Sequence, residues 1–397
     1  MGADLGVSSS SRLGEQIRQQ AQKLGFDLVG IIPANPPKLI QRYEQWLQNG
    51  YAGEMDYLHR HLPLKRDPKT VLAEARSIIV MGMNYYTIEP DPARKVDPTR
   101  GQISRYAWGD DYHDVIRKKL KRLTRVIEKV TRQETTNRVF VDSGPILERG
   151  YAQTAELGWI GKNTNLINWE RGSWHFLSEI LINLDLSVET PPLRGDCGSC
   201  TLCIEACPTD AIVAPNQVDS RRCISYLTIE LKGAIPLDLR PGLGNLIFGC
   251  DICQEVCPWN SKSKPTAIEA FRPRKENLLP KLDSLLQMTQ VDFDQRFKGS
   301  PIKRAKRRGF LRNVAVAMGN ARDPGTVPVL SQAMTDEEPL VRQHAAWALG
   351  QINNCQAKDA LMHHLPIEEN PAVKAEIKSA LEIFVISKDS QQTQSRK

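Results

Sequence analysis

Residues 197–208 read CGSCTLCIEACP, residues 250–258 read CDICQEVCP, and Cys223 stands alone between them. The first stretch is C-x2-C-x2-C-x3-C-P, a spacing in which three close thiolates hold one [4Fe-4S] cluster while the fourth turns away to ligate another. A second set of ligands must therefore exist, and Cys223 with the second stretch supplies it. By this logic Cys197, Cys200, Cys203 and Cys257 hold one cluster, and Cys207, Cys223, Cys250 and Cys253 hold the other. The exchange of Cys207 and Cys257 ties the two halves together. Paired C-x2-C zinc sites are the competing reading. They give no reason for the triple run or for proline after both final cysteines.

Working outward, 397 residues are enough for two to four domains, since single cores stop growing at roughly 250 to 300 residues. A composition of 41% hydrophobic and 25% charged residues is that of an ordinary soluble globular chain. No apolar run approaches the ~18 residues that span a bilayer. The opening MGADLGVSSSSR lacks the apolar core of a secretory signal, and Gly6 stands where a myristoylation motif wants Ser or Thr. A cytoplasmic protein is expected, a compartment in which disulfides are rare.

Before the cysteine module the pattern is α/β. Leu13, Ile17, Ala21 and Leu24 fall at helical spacing, and FDLVGIIP after Gly25 reads as a buried strand. SIIVMGM (77–83), RVFVD (138–142) and WHFLSEILINLDL (174–186) are further strands, with a helix from about His113 to Val130. Asp142 ends one of these strands, and ligands collect at strand carboxyl ends in open α/β sheets. A carboxylic acid there could protonate a departing oxygen if its surroundings raise its pKa; a turn or helix-capping aspartate is the bland alternative. Tyr106, Tyr112 and His113 in RYAWGDDYHDV could bind a base by stacking and hydrogen bonds, or simply pack at a helix start capped by Asp110 or Asp111.

After the module the chain turns basic. Between Arg272 and Arg308 there are eleven Lys or Arg against four acids, a local +7 that equals the net charge of the whole chain. Lys303, Arg304, Lys306, Arg307 and Arg308 form a cationic face if helical, suited to phosphates, with solvated surface as the alternative. Then RNVAVAMGN (312–320) recurs as QHAAWALGQ (343–351), followed by VKAEIKSALEIF (373–384), a period that fits short HEAT-like repeats. Cys355 reads as a small buried hydrophobe in this array.

The expected layout is therefore an α/β domain over 1–190, a ferredoxin-like module with two [4Fe-4S] clusters over 191–262, a basic connecting segment over 263–302, an all-α HEAT-like domain over 303–387, and a disordered tail over 388–397.

YLHRHLPLKRDP (57–68), RYAWGDDYHDVIRKKL (105–120), VDSGPILERGYAQTAELGWIGKNTNLIN (141–168) and CISYLTIELKG (223–233), in this order with both cysteine motifs, resemble the epoxyqueuosine reductase family over roughly residues 10 to 260. HEAT-like repeats at the carboxyl end also occur in that family. The resemblance implies reduction of epoxyqueuosine to queuosine at the wobble position of tRNA with a GUN anticodon (those for Asp, Asn, His and Tyr). Cobalamin would be the reactive centre, held base-off with no protein histidine on cobalt, and the clusters would feed it electrons. The family's proton donor falls on Asp142. Lys65, Arg105, Asn165, Ser225 and Asp251 are implied, with Asp142, to line the cobalamin. Tyr106, Tyr112, His113, Lys232, Lys303, Arg304, Arg307 and Arg308 are the expected tRNA contacts. A monomer served by a separate electron donor, without a membrane, is expected.

The residues also allow two other readings. One is a reductive dehalogenase-like cobalamin enzyme, although no twin-arginine signal is seen. The other is an iron–sulfur electron carrier with a protein-binding repeat arm, which would retain no cobalamin.

Overall fold

The apolar runs of the amino-terminal region form one four-stranded sheet. Its strands are β1 (Leu28–Pro33), β2 (Ser77–Asn84), β3 (Asn137–Phe140) and β4 (His175–Ile182), in the order β1-β2-β4-β3. Every pairing is antiparallel. This corrects the α/β expectation, because the strand-end rule for ligands belongs to open parallel sheets. Asp142 is presented instead by a tight turn after β3, where the Ser143 N–H donates to the Val141 carbonyl at 2.7 Å and Asp142 itself has φ +58°.

The structure, a computed structural model, describes residues 9–89, 97–188, 190 and 192–394. Residues 1–8, which carry the myristoylation question, and Pro191 at the expected domain boundary lie outside them. The chain divides into two units. The first takes in residues 1–88, 109–219 and 251–272, and the second 89–108, 220–250 and 273–397. The division runs through the cysteine module expected over 191–262. Cys223 and Cys250 belong to the second unit and the other six cluster cysteines to the first. The expected connecting segment is likewise divided, at residue 272.

In the first unit the sheet carries α1 (Ser9–Lys23), α2 (Tyr112–Thr131) and α3 (Glu148–Thr154). Ile116, Leu120, Leu123 and Ile127 of α2 are 0% exposed, as the apolar spacing requires. The Asp111 carboxylate caps α2 by accepting the His113 N–H, and Arg132 ends it in the left-handed region. Ile146, Tyr151 and Ala152 pack with Ile78, Val80 and Leu181 on one face of the sheet.

The second unit is built on the repeats: α4 (Lys306–Ala321), α5 (Val327–Ala333), α6 (Pro339–Ile352), α7 (Cys355–His364) and α8 (Pro371–Gln394). Gly319 recurs as Gly350 because each helix closes on the next. A Cβ at Gly319 would lie 2.9 Å from the Ala348 Cα, and one at Gly350 2.8 Å from the Ala380 Cβ. Buried Arg312 donates to the carbonyls of Leu227, Leu231 and Gly233, and Asn313 to those of Thr228 and Ile247. These bonds fasten the segment between Cys223 and Cys250 to the first repeat helix. Two expectations change. The helix α8 continues to Gln394 through most of the expected tail, and Cys355 is exposed at the start of α7 behind the Asn354 cap.

The cationic face expected over residues 303–308 does not form as one helical surface. Lys303 and Arg304 lie in a 3-10 turn, Pro301–Ala305, that precedes α4. Lys303 pairs with Asp294 at 3.1 Å, and Arg304 makes a two-pronged pair with Glu230. Arg307 is buried, donates to the Met288 carbonyl at 2.8 Å and forks onto Asp336. Arg307 therefore holds the repeat array together and is not a phosphate contact. Breaking a buried pair leaves the other charge stranded, so Arg307→Ala should cost about 3–5 kcal/mol in chemical denaturation, while Arg304→Ala should cost about 1 kcal/mol or less.

Candidate functional site

Four thiols of the first unit ring one cavity: Cys197, Cys200, Cys203 and Cys257. They come together because both runs turn in the same way: Leu202–Glu205 and Ile252–Glu255 are matching one-turn helices, each followed by Cys-Pro. Ile167, Leu202, Pro258 and Trp259 give the cavity apolar walls. Burial, followed by the charges of neighbouring thiols, pushes the Cys203 thiol up. Burial raises Cys257 in the same way. Among the described residues no three His, Cys, Asp or Glu side chains converge on a single-ion point. An all-thiol donor set spread around an apolar cavity fits a cubane cluster.

Lys162 and Asn163, which line this cavity, also hold the cysteine runs in place. Lys162 Nζ donates to the carbonyls of Gly198 at 2.8 Å and Cys200 at 2.9 Å, and Asn163 Nδ2 to that of Cys253 at 3.1 Å. Asn165 Nδ2 lies 4.0 Å from Cys253 Sγ. This N–H···S contact makes Asn165 a neighbour of a thiol expected to ligate a cluster, and hydrogen bonds to cluster sulfurs tune the reduction potential. Asn165→Leu should move one cluster's potential in the negative direction, measured by potentiometric titration followed by electron paramagnetic resonance.

The second constellation surrounds Asp142. Tyr112 Oη donates to Asp142 Oδ2 at 2.7 Å, and His113 Nε2 is 3.4 Å from the same oxygen. His113 Nδ1 is 2.8 Å from Asp111 Oδ1, so the imidazole lies between two carboxylates. The Tyr112 ring is buried and stacks at 4.1 Å on both Phe176 and His113. The Asp142 side chain is 60% exposed at the end of this chain of contacts.

These contacts set the charges. Desolvation by surrounding protein works to raise the Asp142 carboxyl, but the hydrogen bonds from His113 and Tyr112 outweigh it and hold it below the usual value. The raised pKa expected from the sequence is thus reversed in this state. Desolvation works against the His113 cation, yet hydrogen bonds to Asp111 and Asp142 raise its pKa to about 9. At neutral pH the proton of this group sits on His113. A raised folded-state pKa stabilises the fold fully below the ordinary 6.5, and that contribution is lost as pH rises through about 9. The unfolding free energy of the wild type minus that of His113→Gln should therefore shrink between pH 6.5 and 9 in urea titrations.

The other expected residues fall as follows. Lys65, at the end of the short helix Leu62–Lys65, is buried, and its Nζ donates to the Ile146 carbonyl at 2.7 Å. Asp251 is buried in the first unit just before the helix of Cys253. Arg105, Tyr106, Ser225 and Lys232 belong to the second unit. Arg105 is buried over the Trp108 ring, Tyr106 packs on Phe248, Ser225 is half-buried in the helix Ile224–Ile229 that follows Cys223, and Lys232 is exposed. Sequence reasoning missed Glu148 and Glu179. The available signal was one acid inside the apolar run FLSEILI.

A thiol-ringed cavity and, in the same unit, an aspartate positioned by tyrosine and histidine are the equipment of an iron–sulfur oxidoreductase that couples electron supply to proton transfer. Comparison with known proteins narrows the class. Residues 65–143 match the family model described as epoxyqueuosine reductase QueG, DUF1730, residues 196–260 a 4Fe-4S double cluster binding domain, and residues 305–382 HEAT repeats. The chain is 43% identical over 342 residues to the epoxyqueuosine reductase of Escherichia coli, covering 86% of this chain and 90% of that one. It is 41% identical over 350 residues to that of Pseudomonas aeruginosa, covering 87% and 96%. A crystal structure of epoxyqueuosine reductase with an epoxyqueuosine-modified tRNA-Tyr stem loop superposes with a TM-score of 0.86 at 32% identity, over 94% of this chain and 99% of that one. A Bacillus subtilis epoxyqueuosine reductase with its catalytic aspartate loop swung out of the active site gives the same TM-score at 31% identity. The chain belongs to the epoxyqueuosine reductase family.

Proposed function

We propose that this protein reduces epoxyqueuosine to queuosine in the anticodon of tRNA. The epoxide oxygen leaves as water, a carbon–carbon double bond forms, and two electrons and two protons are consumed. The observation that carries this reading is the convergence of Tyr112 and His113 on the exposed Asp142 carboxylate, in the same unit as the four-thiol cavity.

Cobalamin, when bound base-off, would supply the low-valent cobalt that takes electrons from the clusters and acts on the epoxide. Lys65, Arg105, Asn165, Ser225 and Asp251, with Asp142, are the residues proposed to hold it. His113 fits a site without a cobalt-ligating histidine, because both ring nitrogens already face carboxylates. Asp142 delivers a proton to the epoxide oxygen, and the imidazolium of His113 stands behind it as the proton's store. A bound substrate that strips water from Asp142 raises its proton affinity and lets it accept that proton. Tyr112 orients the acceptor oxygen and, being buried, is not a platform for a base.

The tRNA contacts proposed for the second unit are Tyr106, Lys232, Lys303, Arg304 and Arg308. The surface pair of Arg304 with Glu230 is weak enough to yield to a phosphate. The substrates are proposed to be the GUN-anticodon tRNAs for Asp, Asn, His and Tyr, the working form a cytoplasmic monomer, and the reductant a separate electron donor. Among the described residues no helix is long and apolar enough to cross a membrane. The test is nucleoside mass spectrometry of epoxyqueuosine-tRNA after anaerobic incubation with cluster-replete protein, cobalamin and a reductant. Queuosine is the expected product, and its absence rejects the proposal. Cobalamin retained through purification separates this reading from a plain electron carrier.

A further inference from the structure

Two carboxyl groups behind Asp142 have no part in the chemistry described so far. Glu179 lies within β4, in register with Val80 of β2 and Phe140 of β3. It is 0% exposed, and neither carboxyl oxygen has a hydrogen-bond partner among the described residues. Side-chain alternation places it on the face shared by Leu177 and Leu181, which is the apolar core face beneath α3. Glu148 opens α3, shortly after Asp142, and its Oε1 is also buried without a partner among the described residues. Lys65 pins the loop between Asp142 and Glu148 through the carbonyls of Ile146, at 2.7 Å, and Gly144, at 3.5 Å.

Glu148 has the Asp142 backbone N–H as a donor and Glu179 has none among the described residues. An ionised carboxylate so poorly supplied in such a place costs several kcal/mol, so the group keeps its proton instead. Burial, and then the charge of Glu148, push Glu179 well above the usual range. Burial, and then the charge of Asp142, push Glu148 up to about 8. The groups facing this pair are Asp142 from the turn after β3, Lys65 from its short helix, Arg149 and Tyr151 from α3 itself, and the two glutamates facing each other. Lys65 is the cation within electrostatic reach of Glu148, Glu179 and Asp142 together. An orphaned buried acid is a standing cost, and function is a reason for a fold to keep one.

We infer that Glu148, backed by Glu179 and charge-balanced by Lys65, re-protonates Asp142 and so supplies the second of the two protons that epoxide removal consumes. This rests on the reading of Asp142 as donor to the epoxide oxygen. Asp142 gives up its proton and becomes a carboxylate. The O–H bond of Glu148 then breaks, its proton passes to Asp142, and the new Glu148 carboxylate is compensated by the Lys65 ammonium. Solvent restores both His113, which supplied the first proton, and Glu148 between turnovers, and no electron moves in this step. Glu148 is a positioning and relay residue that acts through Asp142.

The test uses the full chain loaded with clusters and cobalamin. Wild-type turnover should decline as pH rises through about 8, where Glu148 loses its proton. Glu148→Gln should lower turnover at pH 7 by about 10²-fold and remove that decline, leaving the later one near 9 from His113. Glu148→Asp should restore both the rate and the decline near 8. Infrared spectra of the protein without substrate should show a protonated-carboxyl band at pH 7 that weakens in Glu148→Gln. A Glu148→Gln protein with wild-type rate, pH profile and infrared band overturns the relay. If Glu148→Gln melts early, Glu148→Asp decides alone: a profile without the decline near 8 overturns the relay. Asp142→Asn turning over at the wild-type rate would instead overturn the underlying reading of Asp142.

Discussion

Asp142→Asn should lower epoxyqueuosine turnover by about 10²–10⁴-fold, the range that a general acid contributes, while melting temperature and bound iron stay near wild type. The substitution is clean for a backbone reason. Asp142 sits at φ +58°, in the left-handed region, which asparagine enters more readily than most residues. An alanine there would add backbone strain to the loss of the carboxyl and confuse the two. Asparagine keeps an acceptor for the Tyr112 hydroxyl at 2.7 Å but cannot take up and release a proton. It also removes one of the two carboxylates that raise His113, so the His113 pKa should fall from about 9, which nuclear magnetic resonance of the ring protons can read. Turnover that persists at the wild-type rate would dismiss Asp142 as the proton donor, and a His113 that titrates unchanged would dismiss the Asp111–His113–Asp142 chain.

Cys257→Ala should remove one cluster, cutting bound iron from about eight to about four atoms per chain, and abolish turnover. Cys257 closes the second cysteine run in sequence, yet it lines the cavity of Cys197, Cys200 and Cys203. The loss should therefore strike the cluster built on the first run. Cys203→Ala should produce the same spectroscopic change, because the two thiols line one cavity. Electron paramagnetic resonance of the two reduced variants makes the comparison. Different clusters lost in Cys257→Ala and Cys203→Ala would reject the exchanged ligation.

Both expectations began in the sequence, and their different histories show what a sequence can carry. The helices and strands that bound the Asp142 region follow the apolar periodicities, and α2 starts at the Asp111 cap that the composition of GDDYH allows. The direction of the sheet was not legible. Antiparallel pairing is decided by which segments meet in space, and the apolar runs of β2 and β4, buried on both faces, look alike for either direction. The cationic stretch over residues 303–308 shows the same limit. Five basic residues in six read as one surface, but burial turns Arg307 inward to Asp336 and a 3-10 turn separates Lys303 and Arg304 from α4. Cys355 differs for a smaller reason, since the Asn354 cap puts it at the exposed start of α7 where a buried position was expected.

By itself the sequence determined the double-cluster module and the repeats and singled out a candidate acid, because spacing along a chain is enough to mark thiols for a cubane and helices that stack at a fixed period. Only the tertiary structure decided the charges. Whether Asp142 is held low, His113 high, and Glu148 and Glu179 neutral depends on which groups lie within a few ångströms and how much water is excluded. Those quantities come from residues far apart in the chain, such as Lys65, Phe140 and Glu179, that the sheet and its covering helix bring together.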